Sequence, residues 1–167
     1  MTSFILICGL NKSRKTETAK RMAQMLEKKG KTVEIKSFAT PLKQFAAMYF
    51  NYTEETKYEQ RPMLEKLAFD MKALLGQPVF AYTLLDNSQY VKADYIIVDD
   101  LRYPIEFDII TEFFETTVVK MPDPEITEQS DVDRLNVLVD RFKAVEYQHL
   151  DLKDFTDRSL KAVLLDV

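Results

Sequence analysis

A chain of 167 residues can bury a proper core and fits one domain, and its 46% apolar and 30% charged residues describe a globular protein. Only three glycines and six prolines are present, which excludes a linker-rich or low-complexity chain. The net charge of −4 argues mildly against a dedicated nucleic-acid binder, and a single cysteine (Cys8) beside a single histidine (His149) allows neither an intramolecular disulfide nor a zinc site of Cys and His ligands.

The first element is a continuous apolar run, Phe4 to Cys8, of the kind expected for a strand covered on both faces, with Cys8 a buried thiol. The stretch GLNKSRKT, Gly9 to Thr16, follows it. Ala19, Met22, Met25 and Leu26 then recur at helical spacing, and Gly30 ends that helix. Thr32 to Phe38 alternates as a strand does, and Pro41 opens a helix through Leu42, Phe45, Ala46 and Phe50.

Residues 51–60 are polar and predict a loop. Met63, Leu64, Leu67, Met71 and Leu74 form a helical stripe that stops at Gly76, and Pro78 to Leu85 begins another helix. A second continuous apolar run, Tyr95 to Val98, ends at Asp99 and Asp100. Ile105, Ile109 and Phe113 predict a helix, Thr116 to Met121 a strand, and Val132, Leu135, Leu138, Val139 and Phe142 a further helix. Ala144 to Leu150 is a short strand candidate, with a closing helix from Phe155 to Leu165.

Strands alternate with helices throughout. The expected fold is α/β, one domain over residues 1–167, with a parallel sheet of about five strands and helices on both faces. No apolar stretch approaches membrane-spanning length and no signal peptide is read, so the expected location is cytoplasmic, with no membrane partner.

GLNKSRKT fits the frame G-x-x-x-x-G-K-S/T of a phosphate-binding loop, with Arg14 in place of the second glycine. Such a loop works because backbone N–H groups at a helix start converge on the anion. Lys15 is placed to reach the β- and γ-phosphates and Thr16 to bind Mg²⁺, while Gly9, Asn11, Lys12, Ser13 and Arg14 complete the ATP-binding loop. An apolar strand ending in Asp99 and Asp100 is the kind that positions Mg²⁺ from a neighbouring strand, and the two carboxylates compete for that role.

The segments GLNKSRKTETA, SFATPLKQF and IIVDDLRYPIEFD together resemble the deoxynucleoside monophosphate kinases of bacteriophages. Phe38 to Lys43 is similar to that family's F-A-D-P-L-K segment, with Thr40 in place of Asp. Asp100, Arg102, Tyr103 and Glu106 match its D-x-R-F/Y-x-x-E segment, and the resemblance extends to about residue 120. It implies the phosphate-loop kinase fold, ATP with Mg²⁺, a deoxynucleoside monophosphate acceptor and, for a phage-encoded chain, the host cytoplasm. Asp100 is the carboxylate that matches the family segment. Arg102 is the acceptor-side and catalytic candidate the resemblance favours, with Phe38, Lys43 and Arg61 as further acceptor-side residues.

Three departures bear on turnover. Arg14 puts a side chain where the backbone should approach phosphate, although its guanidinium could pair with one and act catalytically beside Lys15. Thr40 removes a carboxylate. The segment between Lys120 and Arg134 has several acids and no basic residue, so a charge clamp must come from Lys120, Arg134 or Arg14. The alternatives are a degenerate fold kept as a nucleotide-binding or protein-interaction module, and another small-molecule kinase on the same scaffold. The oligomeric state stays open, a homodimer being one option.

Overall fold

The computed structural model describes residues 1–88, 91–141 and 147–149. Five strands, β1 (Ser3–Cys8), β2 (Val33–Lys36), β3 (Tyr95–Leu101), β4 (Thr116–Lys120) and β5 (Tyr147–His149), form one sheet in the order β2-β3-β1-β4-β5. Every pairing is parallel. The helices are α1 (Lys15–Lys28), α2 (Thr40–Phe50), α3 (Arg61–Leu75), α4 (Val79–Ser88), α5 (Pro104–Phe113) and α6 (Gln129–Arg141).

β1 lies between β3 and β4, which is why its apolar run is continuous: Phe4 to Cys8 are all 0% exposed. Alternation splits them between two layers. Phe4, Leu6 and Cys8 pack with residues of α2, α4, α5 and α6, whereas Ile5 and Ile7 pack with Ala19, Met22, Ala23 and Leu26 of α1. Helices therefore cover both faces, as the alternation of elements predicts.

Several boundaries move from those expected. β2 stops at Lys36 because residues 37–39 turn toward a side chain of β3. β3 continues to Leu101 through an irregularity: Leu6 pairs with Val98 but Cys8 pairs with Leu101, so β3 has one extra residue at Asp99 and Asp100. The α3 stripe packs one-sidedly, with Leu64, Leu67 and Met71 half-buried against the core and Leu74 left exposed. Of the strand expected over Ala144 to Leu150, Tyr147–His149 is seen; Phe142 and the closing helix from Phe155 to Leu165 lie outside the described residues.

Candidate functional site

The loop between β1 and α1 sits at the C-terminal edge of the sheet, where open α/β folds place their ligands. Gly9 begins it at φ +156°, and a Cβ there would lie 2.7 Å from Ser13 Oγ and 2.9 Å from Met121 Cβ, so only glycine fits. Lys12 (φ 62°) and Arg14 (φ 64°) both adopt the left-handed conformation. That backbone costs a side-chain-bearing residue ~1–2 kcal/mol. The strain orients the chain so that α1 starts at Lys15, and first-turn N–H groups lacking intrahelical partners open toward the loop. Ser13 is buried beneath it, its hydroxyl without a hydrogen-bond partner among the described residues.

The Arg14 guanidinium points away from this cradle. Its Nε donates to Glu17 Oε2 at 2.8 Å and its NH2 to Glu17 Oε1 at 2.5 Å, on the solvent side. The expected swing onto phosphate is not the arrangement observed. Arg14→Gly should relieve the left-handed strain and raise the melting temperature by roughly 2–4 °C. Turnover should stay within about twofold; a tenfold fall would mean that the guanidinium leaves Glu17 for the phosphates during the reaction.

Lys15 folds back onto the loop rather than facing solvent: its Nζ donates to the carbonyl oxygens of Leu10 at 2.7 Å and Gly9 at 3.2 Å. Burial lowers its pKa to about 8, assisted by the nearby Arg102 and Arg134 cations and opposed by Asp131 and Asp99. Three cations thus crowd one edge of the sheet. Like charges gathered in this way are destabilised until an anion arrives.

The adjacent carboxylates of β3 go separate ways, as strand alternation and the extra residue dictate. Asp99 lies beside Thr16; burial raises its pKa, and Thr16 partly offsets this. Asp100 instead anchors the segment after β2. It accepts from Ser37 Oγ at 2.6 Å and from the backbone N–H groups of Phe38 at 2.8 Å and Ala39 at 3.0 Å. With its oxygens so engaged, Asp100 is a structural anchor, and the pair suited to a divalent cation is Thr16 with Asp99. Among the described residues no cluster of three or more His, Cys, Asp or Glu side chains could hold a metal. Two protein ligands suit Mg²⁺, which keeps its waters and takes phosphate oxygens.

The acceptor-side candidates separate too. Phe38 is 3% exposed and packs in the core, so its ring is committed to packing. Lys43 pairs with Glu54 at 2.8 Å and Arg61 with Glu65 at 2.9 Å, which leaves both as charges of helix surfaces. Arg102 lies one residue past β3, close enough to weigh on Lys15. Its backbone is held by Glu106, 5% exposed, whose Oε2 accepts the N–H of Arg102 at 2.9 Å and of Tyr103 at 3.0 Å. Glu106 therefore meets Arg102 through the backbone and not through an ion pair. Burial pushes the Glu106 carboxyl up to about 7.

Two residues of α6 enter the site from the acidic segment. Asp131, 7% exposed, accepts the Asn11 N–H at 2.6 Å and also binds Arg134 NH2. Arg134 NH1 reaches the Arg102 carbonyl at 3.3 Å. Of the three clamp candidates, Arg134 is the one at the loop; Lys120 faces Asp123 at 3.7 Å and Arg14 faces Glu17. Asp131 was not foreseen, because nothing local in the sequence ties it to a loop 120 residues away. Cys8 lies under the loop, its thiol pushed up to about 11 by burial, so it is an inert packing group.

No protein-family profile and no curated protein sequence matches this chain. Solved structures do. Shikimate kinase from Aquifex aeolicus superposes with a TM-score of 0.54 at 11% identity, covering 98% of this chain and 94% of the other. The APS kinase CysC of Mycobacterium tuberculosis gives a TM-score of 0.48 at 14% identity, covering 99% and 98%. The α/β fold with its central parallel sheet is shared with that shikimate kinase. No helix among the described residues is long and apolar enough to cross a membrane.

Proposed function

We propose that the protein transfers the γ-phosphoryl group of ATP to a deoxynucleoside monophosphate. The observation that carries this reading is the gathering at the phosphate loop of Lys15, bound to the Gly9 and Leu10 carbonyls, with Arg134, which reaches the Arg102 carbonyl, and of Arg102 itself. Phosphoryl transfer asks little covalent work of a protein; positioning and positive charge around the transferring group provide the catalysis.

Lys15 leaves the Leu10 and Gly9 carbonyls for the β- and γ-phosphates, exchanging two neutral acceptors for anions. The first-turn N–H groups of α1 hold the β-phosphate. Arg134, oriented by Asp131, covers the transferring group, and Arg102 faces the acceptor. An acceptor phosphate oxygen attacks the γ-phosphorus while the bond to the β-bridging oxygen breaks, leaving ADP and a diphosphate. Thr16 and Asp99 are the residues that would hold Mg²⁺, which when bound neutralises charge on the β- and γ-phosphates.

The test is an assay coupled to ADP release, with MgATP and each of the four deoxynucleoside monophosphates in turn. At least one should raise ADP release well above the rate with MgATP alone. If none does while MgATP still binds, the fold is a nucleotide-binding module without turnover, a reading the strained loop and the Asp131–Asn11 contact would then support.

A further inference from the structure

With Phe38 in the core and Lys43 and Arg61 paired to glutamates, the acceptor side needs another source of positive charge. Lys72, near the end of α3, provides it. Its Nζ lies 3.8 Å from the centre of the Tyr103 ring and 5.7 Å from that of Phe80. Tyr103 is the neighbour of Arg102, and Glu106 fixes the backbone of both. Among the described residues Lys72 has no carboxylate within ion-pair distance, and the Arg102 guanidinium has no hydrogen-bond partner.

We propose that Lys72 and Arg102 together seat the phosphate of the acceptor, so that the acceptor is a phosphate monoester and not a free hydroxyl compound. This rests on the kinase reading above and names the substrate class of its acceptor site. Half-buried cations normally find carboxylates, because a desolvated charge without a counterion is costly. Here Lys72 and Arg102, on different elements, have no carboxylate in ion-pair contact among the described residues. Burial lowers the Lys72 pKa; Glu106 offsets this in part, while Arg102 adds to it. Tyr103 and Phe80 hold the ammonium by their ring faces in the meantime, a weak contact that a dianion can outcompete.

Arg102 also weighs on Lys15, so positive charge runs from Lys15 through Arg102 to Lys72. The donor's terminal phosphate and the acceptor's phosphate would lie along that line, Arg102 between them. A hydroxyl acceptor would leave the Lys72 end without an anion.

The experiment is calorimetric titration of the full chain with each of the four deoxynucleoside monophosphates and with the matching deoxynucleosides. It is done for the parent, Lys72→Gln and Lys72→Arg, with MgATP titrated separately. A monophosphate should bind the parent at least tenfold more tightly than its nucleoside. Lys72→Gln should lose roughly tenfold in that affinity, the scale of one charge-assisted contact, while Lys72→Arg recovers most of it and MgATP affinity is unchanged. The proposal is overturned if Lys72→Gln binds the monophosphate within twofold of the parent. It is equally overturned if no monophosphate binds better than its nucleoside, or if MgATP affinity falls in parallel. Lys72-dependent binding of a monophosphate with no ADP release would uphold the seat and sink the transfer reading alone.

Discussion

Lys15→Ala should lower turnover by roughly 10²-fold or more, the scale seen when a donor aimed at developing charge is removed. The fold should not suffer. In the empty loop the ammonium is desolvated beside Arg102 and Arg134, and its pKa is lowered from 10.5 to about 8. The sign follows directly. Between pH 8 and 10.5 the unfolded chain holds more protons at this group than the folded one, so its contribution to stability rises with pH across that window. At pH 7 the charged amine is a penalty that alanine removes, partly offset by the loss of two hydrogen bonds to Gly9 and Leu10. Melting curves should therefore place the variant at or slightly above the parent at pH 7, with the difference shifting in the parent's favour toward pH 10.5. Saturating MgATP should raise the parent's melting temperature and leave the variant's unmoved. An equal ligand-induced rise in both proteins would show that the lysine does not hold phosphate.

The second large effect separates two neighbouring carboxylates. Asp100→Ala removes the acceptor of three hydrogen bonds that fix residues 37–39, and should cost about 3 kcal/mol. For a chain of this size that is a fall of roughly 6–12 °C in melting temperature. Asp99→Asn should do the opposite. Its carboxylate is disfavoured by burial, so neutralising it leaves stability unchanged or slightly improved. Turnover, however, should fall roughly 10²-fold or more and respond weakly to added Mg²⁺. Both variants are compared by thermal unfolding and by rate at several Mg²⁺ concentrations. A stable, inactive Asp100→Ala beside an active Asp99→Asn would reverse the assignment.

What could be read in advance follows from how far apart the interacting residues lie. β1 was legible because a strand buried on both faces has no polar interruption, and the loop because its lysine and threonine keep a fixed distance from Gly9. The limits of β2 and β3 were not. They depend on Asp100 drawing residues 37–39 out of the strand and on the extra residue that lets Cys8 pair with Leu101. The resemblance to phage kinases directed attention to Asp100, whereas the geometry puts Asp99 beside Thr16. Adjacent residues of a strand face opposite sides, so two aspartates in a row always leave open which one faces the loop. Lys72 and Asp131 carried no local signal that placed them, and Arg134 was one of three clamp candidates that the sequence alone could not rank: each is a charged residue on a helix until the fold puts it beside Tyr103, Asn11 or Arg102.

The most direct test of the account follows the phosphorus itself. ³¹P NMR of the full chain with MgATP and the deoxynucleoside monophosphate that best stimulates ADP release should show ATP and monophosphate resonances decaying together, replaced by equal amounts of ADP and a new nucleoside diphosphate. Unchanged ATP and monophosphate, or ADP accompanied only by inorganic phosphate, would contradict it.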